Sequence, residues 1–384
     1  MEAKKGASIQ VKNLWFLPRK PEEKRILFHA INHIGLGHLN RSIAVAQWLT
    51  AGIPDVQVLF LIEGGEDFIE PTGFPWIIIP GQASESEHCE QITRTVLHVF
   101  RPHLMIHDTL IRESINKAAA DEGIRQVLIG RVGDVLRDQL RYNLSMITGV
   151  DLLLIPHKRA EVAPPDQALI AQYTGKTVYT GPLVRRKDRI SSDCIRQMLG
   201  LTRAHKVILA TFGGGGYDLA RDILANLLAA RAQILNRYPQ AKLIVISGPH
   251  FSDSLPKVDG FVCYASRFEQ SLADFFEIAS VVVCMAGYNT INEVAASGIP
   301  TVSIPAVEAE DQVGRVEAYA QRFHHILLGS TDAKELTYQV IDALAEERDL
   351  SAVQEFWQQA EAATQRLVNE IDHLLHDTHE HCLE

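Results

Sequence analysis

The chain has 384 residues, of which 46% are hydrophobic and 22% are charged. This composition is typical of a globular protein and excludes extensive disorder, and the length suffices for two domains with full cores. The formal net charge of −10 argues against a nucleic-acid-binding protein, which would need a basic excess. We therefore expect any anionic ligand to be bound by local groups.

The cysteines and the apolar runs predict a cytoplasmic protein. The five cysteines form no CxxC pair, as expected for reduced thiols in a cytosolic chain. No apolar run has transmembrane length, and the N-terminus lacks the apolar core of a signal peptide. Residues 1–25 carry basic side chains around the apolar stretch LWFL. We interpret them as a flexible or edge-packed extension, with peripheral contact to a membrane surface as the alternative.

The first half of the chain alternates apolar strands with helical stretches. Strands are predicted at residues 25–30, 56–62, 76–79, 104–107, 126–129 and 152–155. After the first strand comes the loop HIGLGH, which contains His33, Gly35, Gly37 and His38, and then a helix over residues 40–51. This alternation predicts a parallel, doubly wound sheet and so an α/β fold.

The second half repeats the pattern, with strands predicted at residues 207–211, 243–247, 261–264, 281–285 and 301–304. The segment GPLVRRKD at residues 181–188 has a composition typical of an interdomain linker. Two helices are predicted after Asp332, the first to about residue 347 and the second over residues 351–376. The predicted domains are residues 1–183, with an extension over 1–24, residues 184–348, and a helix over 349–384 that returns to the first domain.

A second glycine-rich loop, FGGGGY, follows the first strand of the second half and contains Gly213, Gly214, Gly215 and Gly216. Its place is equivalent to that of the loop HIGLGH in the first half. Glycines let a backbone approach a ligand closely and leave its amides free. They also serve in simple turns, and we favour ligand approach.

Residues 281–305, VVVCMAGYNTINEVAASGIPTVSIP, are the most informative segment for function. A buried strand is followed by Ala286, Gly287, Asn289 and Thr290, which open a helix. Free amides and the helix dipole at such a start favour an anion such as a diphosphate. Glu293, one turn further on, could accept hydrogen bonds from ribose hydroxyls. The alternative is a capping box, in which Thr290 and Glu293 satisfy each other's backbone donors.

Several nucleotide and metal motifs are excluded. The segment GKT at residues 175–177 is not a P-loop, because Ile170 stands where the first glycine is needed. The glycine loops do not spell GxGxxG with a suitable acid further on, which disfavours a nicotinamide dehydrogenase. The chain contains neither Asp-x-Asp nor HExxH, which disfavours a metal-dependent sugar transferase. We therefore predict no metal and no cofactor.

Taken together, the two doubly wound halves, the loop ending in His38, the GPLVR linker and the segment AGYNTINEVAASGIP resemble the two-domain GT-B glycosyltransferases. Within them the chain is most similar to the MurG-like family, whose best-known member adds N-acetylglucosamine to a lipid-linked peptidoglycan precursor. The resemblance covers most of the chain and is strongest over residues 207–329. It implies two Rossmann-like domains facing a cleft, the last helix packing back across, and a UDP-sugar bound chiefly by the C-terminal domain.

The resemblance also implies roles for individual residues. Glu293 matches the acid that binds the ribose, Asn289 and Thr290 match the donors to the diphosphate, and Arg185 matches a linker arginine near the phosphates. Residues 264–268 match the segment that holds the base. The complete predicted donor site comprises Gly35, Gly37, Arg185, Gly213, Gly214, Gly215, Gly216, Arg267, Phe268, Ala286, Gly287, Tyr288, Asn289, Thr290, Glu293, Asp311 and Gln312.

Two departures from the family pattern concern the substrates. The family's N-terminal loop is nearly all glycine, whereas this loop begins with His33 and Ile34 and contains Leu36. A polyprenyl-diphosphate acceptor is therefore not implied. The family member that acts on peptidoglycan has Asp-x-Gln-Gln at the donor sugar, where this chain has DQVG at residues 311–314. N-acetylglucosamine is therefore not implied as the donor sugar.

Sugar transfer without a metal requires a base for the acceptor and groups that stabilise the departing diphosphate. His38 is our first candidate for the base, since histidine titrates near physiological pH, although it could instead cap its loop. Asp108, at the end of a strand, is the second candidate, and His33 is the third. We predict an inverting, metal-independent glycosyltransferase. The alternatives are a nucleotide-sugar hydrolase and a non-catalytic nucleotide-sugar-binding subunit, and the presence of both halves in one chain favours the transferase.

Overall fold

The computed structural model describes residues 11–12, 23–31, 37–64, 73–79, 87–147, 149–185, 191–248, 250–251, 255, 260–264, 272–306 and 310–377. These residues form two compact α/β units. The first unit holds the described residues up to Arg185, apart from Gly37, and those from Gln359 onward. The second unit holds Gly37 and the described residues of Arg186–Gln358. Within the described residues, no helix is both long and apolar enough to cross a membrane.

The first unit is built on a sheet in which the described strands are ordered β1-β4-β3-β2-β5-β6-β7-β8. All neighbouring strands are parallel except β1, which runs antiparallel to β4 at the edge. The strand β1 belongs to the N-terminal extension and so packs that part of it against the edge of the sheet. The strands are β1 (Val11–Lys12), β2 (Lys24–Ile31), β3 (Val56–Glu63), β4 (Trp76–Ile79), β5 (Leu104–Asp108), β6 (Arg125–Ile129), β7 (Leu152–Ile155) and β8 (Lys176–Tyr179).

Helices cover both faces of this sheet. On one face, Leu39 and Ile43 of α1 pack in the same apolar core as Leu367 and Ile371 of the C-terminal helix. On the other face, α2 and α3 pack on the alternate side chains of the same strands. The helices are α1 (Gly37–Gly52), α2 (Glu87–Phe100), α3 (Glu113–Asp121), α4 (Asp134–Tyr142), α5 (Leu144–Ile147) and α6 (Pro164–Ile170).

The second unit contains an all-parallel sheet with the described strands in the order β11-β10-β9-β12-β13-β14. Its core is formed chiefly by β9, β10, β12 and β13 with α8, α9 and α13. The strands are β9 (Lys206–Thr211), β10 (Ala241–Ile246), β11 (Val262–Tyr264), β12 (Val281–Met285), β13 (Thr301–Ile304) and β14 (Ile326–Leu328). The helices are α7 (Ser192–Met198), α8 (Asp218–Ala229), α9 (Arg231–Arg237), α10 (Leu272–Phe276), α11 (Tyr288–Ser297), α12 (Glu310–Arg322) and α13 (Ala333–Ala343). The predicted parallel, doubly wound sheets are confirmed.

The last helix, α14 (Leu350–Asp377), divides between the two units at Gln359. In the second unit, the Trp357 indole donates to the Ala296 carbonyl at 3.0 Å. In the first unit, Arg366 donates to the carbonyls of Tyr179 and Thr180 at 2.8 and 3.0 Å. These bonds satisfy carbonyls at the end of β8 and just beyond it, so the second part of α14 is an integral layer of the first unit.

Each sheet has a point at which the strand order reverses. In the first unit the chain builds outward from β2 through β3 and β4, then returns to place β5 on the other side of β2. In the second unit it builds from β9 through β10 and β11, then returns to place β12 beside β9. Open α/β sheets bind ligands beyond the carboxyl ends of their strands at such switch points. The loops after β2 and β5, and those after β9 and β12, therefore identify the candidate sites.

The first sheet also buries a polar network among its strands. His29 of β2 lies with one ring nitrogen 3.2 Å from His107 of β5 and the other 3.3 Å from the Glu63 carboxylate of β3. Arg112 donates to the same carboxylate at 2.7 Å, and His107 contacts the Gln126 side-chain oxygen at 2.9 Å. His29, Glu63 and His107 have no exposed surface. Because side chains alternate along a strand, His107 and its neighbour Asp108 face opposite sides of the sheet.

Candidate functional site

Two of the three candidates for the base meet at the switch point of the first sheet. Helix α1 begins at Gly37, so His38 lies in its first turn, and Asp108 is the last residue of β5. The His38 Nδ1 atom lies 2.9 Å from the Asp108 Oδ1 atom. The two residues, which the sequence presents as alternatives for one role, are hydrogen-bonded partners in the fold. The third candidate, His33, lies outside the described residues, as does Gly35.

Arg41 joins this pair from the next turn of α1. Its Nε atom donates to Asp108 Oδ2 at 2.9 Å, and its Nη2 atom donates to Asp108 Oδ1 and to the Thr109 hydroxyl. The Arg41 and Asp108 side chains are 2% and 0% exposed. Sequence analysis did not identify Arg41 or Thr109. The spacing of three residues between His38 and Arg41, which places them on one helix face, is the signal that could have indicated Arg41.

The carboxylate of Asp108 is ionised despite its burial. Burial acts to raise the pKa of Asp108, but the Arg41 charge and the hydrogen bond to His38 outweigh it and hold this pKa near 2. An ionised carboxylate only accepts hydrogen bonds, so His38 Nδ1 carries the hydrogen. The neutral ring then has its lone pair on Nε2. The His38 side chain is 32% exposed, which leaves the ring accessible to a reactant.

The turn after β5 has a strained backbone, which several hydrogen bonds hold in place. Thr109 adopts a positive φ of 67°, which is an outlier for a β-branched residue. Its amide donates to the Ile129 carbonyl at 2.8 Å, and its carbonyl accepts from the Gln139 side chain. The Gln139 oxygen in turn accepts from the Ile111 amide at 3.0 Å. Such strain persists where the surrounding structure enforces it, commonly at functional sites, and here it lies directly after Asp108.

The switch point of the second sheet brings together the loops after β9 and β12. Helix α11 begins at Tyr288 with Gly287 as its N-cap, and Ile291 makes the first backbone bond, to the Gly287 carbonyl at 3.0 Å. Thr290 is therefore the third residue of the helix, and the N-cap residue is a glycine, which has no side chain with which to cap it. The capping-box interpretation of Thr290 and Glu293 is wrong, because the helix starts before Thr290. The amides at the start of α11 have no intrahelical acceptor, which suits an anion.

Side chains of α12 contact the residues around this helix start. Arg315 donates to the Ala286 carbonyl at 3.0 Å, pairs with Asp311, and lies 5.8 Å from the centre of the Tyr288 ring. The Gln312 side-chain oxygen accepts from the Ala306 amide at 2.9 Å. Asp311 and Gln312, both predicted to bind the donor, thus also hold the ends of β12 and β13. Arg315 was not identified from the sequence.

The glycines after β9 pack tightly against the loop after β10. Gly213 and Gly215 have φ values of 59° and 77°, which favour glycine. A Cβ atom on Gly215 would lie 2.2 Å from the Ser247 carbonyl oxygen, and one on Gly248 would lie 2.3 Å from the Gly213 oxygen. The His250 amide also donates to the Gly214 carbonyl at 2.8 Å. Close backbone packing therefore accounts for at least part of the glycine requirement, whatever ligand binds.

The remaining predicted residues are placed as follows. Asn289 lies in the first turn of α11, and Glu293 lies within the same helix, partly buried. Arg185 is partly buried at the end of the first unit, and Gly216 lies beside Tyr217, the N-cap of α8. Arg267 and Phe268 lie outside the described residues. In the described part of the chain, no three His, Cys, Asp or Glu side chains are grouped so as to hold a metal ion.

Known proteins match this chain in both sequence and fold. Residues 212–369 match the Glycosyltransferase family 28 C-terminal domain. A UDP-N-acetylglucosamine--N-acetylmuramyl-(pentapeptide) pyrophosphoryl-undecaprenol N-acetylglucosamine transferase from Caldanaerobacter subterraneus is 22% identical over 345 residues, which cover 82% of this chain and 89% of that protein. An uncharacterized glycosyltransferase of Methanopyrus kandleri is 23% identical over 174 residues, 45% of this chain and 46% of that protein.

Solved structures share the fold at lower identity. Medicago truncatula UGT71G1 complexed with UDP-glucose superimposes with a TM-score of 0.59 at 13% identity, covering 92% of this chain and 98% of that one. A putative UDP-N-acetylglucosamine 2-epimerase from Listeria monocytogenes gives 0.57 at 13% identity, covering 90% and 95%. At this identity the structural likeness shows the fold alone. With the sequence matches, it shows that the chain is a GT-B fold glycosyltransferase similar to the MurG-like enzymes, and residues 212–369 of this chain match the Glycosyltransferase family 28 C-terminal domain.

Proposed function

We propose that this protein transfers a sugar from a UDP-sugar to an acceptor hydroxyl, with inversion and without a metal ion. The observation that carries the proposal is the hydrogen-bonded pair of His38 and Asp108, in which an ionised, buried carboxylate orients an accessible imidazole. The first unit then supplies the base, and the second unit binds the donor.

The second unit offers the donor a site made largely of backbone. Amides at the start of α11 face outward from the helix end and carry the positive end of its dipole. They stabilise the diphosphate both when the donor binds and when UDP departs with the electron pair of the broken glycosidic bond. In this proposal, the Glu293 carboxylate accepts hydrogen bonds from the ribose hydroxyls. The names of relatives support the donor class, since they include a UDP-N-acetylglucosamine transferase and a complex with UDP-glucose.

In the proposed reaction, the acceptor oxygen attacks the anomeric carbon of the sugar while His38 Nε2 takes the hydroxyl proton. Asp108 fixes the hydrogen on Nδ1 and stabilises the imidazolium that forms. The new glycosidic bond forms as the bond to the diphosphate breaks, so a single displacement inverts the anomeric carbon. The low pKa of Asp108, near 2, suits it to orient the ring and makes it a poor proton acceptor itself.

A hydrolase is the second candidate, because the same base could activate water. The fold does not distinguish transfer from hydrolysis, since a putative UDP-N-acetylglucosamine 2-epimerase also has this fold. A non-catalytic binding subunit would retain the donor site alone. For the location of the protein we propose the cytoplasm, where UDP-sugar donors are available, with peripheral membrane contact if the acceptor is lipid-linked.

The test measures free UDP after incubation with UDP-N-acetylglucosamine or UDP-glucose, with and without candidate acceptors and with and without EDTA. Acceptor-dependent release of UDP that survives EDTA supports metal-free transfer. Equal release without any acceptor indicates a hydrolase, and UDP-induced thermal stabilisation without turnover indicates a binding subunit. A ligand at 100 times its Kd adds about 2.7 kcal/mol to the free energy of unfolding, so binding is measurable even without activity. Comparing lipid-linked with soluble sugar acceptors then defines the acceptor class.

A further inference from the structure

Arg41 balances the charge of the carboxylate that faces His38. It donates to both Asp108 oxygens, and neither side chain has more than 2% of its surface exposed. A guanidinium remains charged at any pH at which a protein is folded. The Asp108 carboxylate therefore meets His38 as one half of a neutralised ion pair.

This neutralisation bears on the form of the imidazole. A carboxylate within hydrogen-bonding distance favours the imidazolium form of a histidine, and a nearby positive charge disfavours it. The Arg41 Nη2 atom lies 3.4 Å from His38 Nδ1, so this positive charge lies directly beside the ring. An imidazolium has no lone pair and cannot accept a proton from an acceptor hydroxyl.

We propose that Arg41 is a positioning residue that keeps His38 in the unprotonated form needed of a base, by cancelling the charge of Asp108 while holding its carboxylate in place. The proposal rests on the base role assigned to His38 under the proposed function. The opposing interpretation is that Arg41 only ties α1 to the end of β5 as a structural ion pair.

The charged groups that face His38 in the described residues come from two elements. Asp108 and the neutral hydroxyl of Thr109 come from the end of β5 and the following turn, and Arg41 comes from α1 itself. Gln139 of α4 reaches only the backbone of this turn. Among these contacts, Asp108 supplies a negative charge and Arg41 a positive charge, so substitutions can shift the balance at His38 in either direction.

The test is an NMR titration of the His38 ring in full-length protein labelled at histidine ¹³Cε1, with the His38 resonance assigned by its loss in H38Q. In R41Q, which keeps hydrogen-bonding capacity but removes the charge, we expect the midpoint of protonation to rise by about one to three pH units. In R41K, which keeps the charge, we expect a midpoint close to that of the wild type. In the double variant R41Q/D108N, which removes both charges, the rise should disappear.

An unchanged midpoint in R41Q would overturn the proposal, as would an equal rise in R41K. Removing either partner of a buried ion pair can unfold a protein, so the NMR spectrum of each variant is first checked for a folded chain, and D108N then provides a second test in the opposite direction. Its uncompensated Arg41 charge should lower the midpoint by about one pH unit or more, and no change would again overturn the proposal. This readout needs neither donor nor acceptor, so it can succeed or fail independently of the transferase activity.

Discussion

The switch points of the two units differ in the kind of chemical group that lines them. In the first unit, a histidine, an arginine and a carboxylate from α1 and β5 form a site of side chains, with the charged atoms largely buried. In the second unit, glycine backbone after β9 and amides at the start of α11 form a site of main-chain groups. The first arrangement suits proton transfer, and the second suits binding of an anion.

Both sites combine segments that are far apart in the sequence. In the second unit, the glycines after β9 and the start of α11 come from separate loops, and the family match over residues 212–369 covers both loops. A site of side chains can be assembled from distant segments, and Arg41 and Asp108 are 67 residues apart. Such a site leaves no continuous motif in the sequence. Four experiments test this contrast between the two units, and they are given in order of decreasing expected effect.

The first experiment removes the proposed base of the first unit. We expect H38A to lower turnover by about 10²- to 10⁴-fold while leaving the Kd for UDP unchanged, because a general base acts on the transition state. H38Q retains a hydrogen-bonding group and should be equally slow if the ring accepts a proton. Near-normal turnover in folded H38Q would show that His38 only caps its loop and would promote Asp108, to be tested as D108N.

The second experiment tests how much of the glycine loop is required by packing. G215A places a methyl group 2.2 Å from the Ser247 oxygen at a positive φ, so we expect a loss of about 3 kcal/mol or more in the free energy of unfolding. G213A, with a positive φ but no atom within 4 Å of the new Cβ, is the matched control and should lose only about 1–2 kcal/mol. Denaturant unfolding measures both. Equal losses would show that the close approach to Ser247 is relieved at little cost.

The third experiment examines the proposed ribose acid of the second unit. Loss of a charged hydrogen bond in E293A should weaken UDP binding by about 1.5–3 kcal/mol, or roughly ten- to a hundredfold in Kd. E317A, an exposed glutamate of α12, is the control and should bind as the wild type does. Isothermal titration calorimetry provides the Kd values. If E293A loses thermal stability but binds UDP normally, the ribose assignment is wrong.

The fourth experiment tests the buried polar network of the first unit. Burial and the adjacent His29 lower the pKa of His107 to about 3 from an ordinary value of 6.5. Between these values the unfolded chain binds a proton that the folded chain does not, so this contribution to stability is complete above about pH 6.5 and is lost as the pH falls toward 3.

We therefore expect H107Q to flatten the decline in stability on acidification, by about 2 kcal/mol over two pH units below 6.5. H98Q, at an exposed position of α2, serves as the control and should follow the wild type. Urea unfolding at several pH values measures the slope. An H107Q curve parallel to that of the wild type would contradict a neutral, buried His107.

Local pattern sufficed to predict several buried strands with their bounds. The strands Trp76–Ile79, Leu152–Ile155, Val281–Met285 and Thr301–Ile304 have the predicted bounds, because mostly apolar runs between turn residues leave little choice. The short strands Lys176–Tyr179 and Ile326–Leu328 were not predicted. They are partly exposed and lie at or near sheet edges, where an apolar run is not required.

Local sequence patterns were enough to predict two parallel, doubly wound sheets, and they also predict a phosphate site at the helix start after β12. Those conclusions depend on residues that are neighbours in the chain, whose spacing and backbone preferences act locally. The three-dimensional fold was needed to show that α11 starts at Tyr288, ahead of Thr290, and that His38, Arg41 and Asp108 lie in one cluster. Such contacts depend on which strands lie side by side, and the chain order does not state that β5 returns to the side of β2.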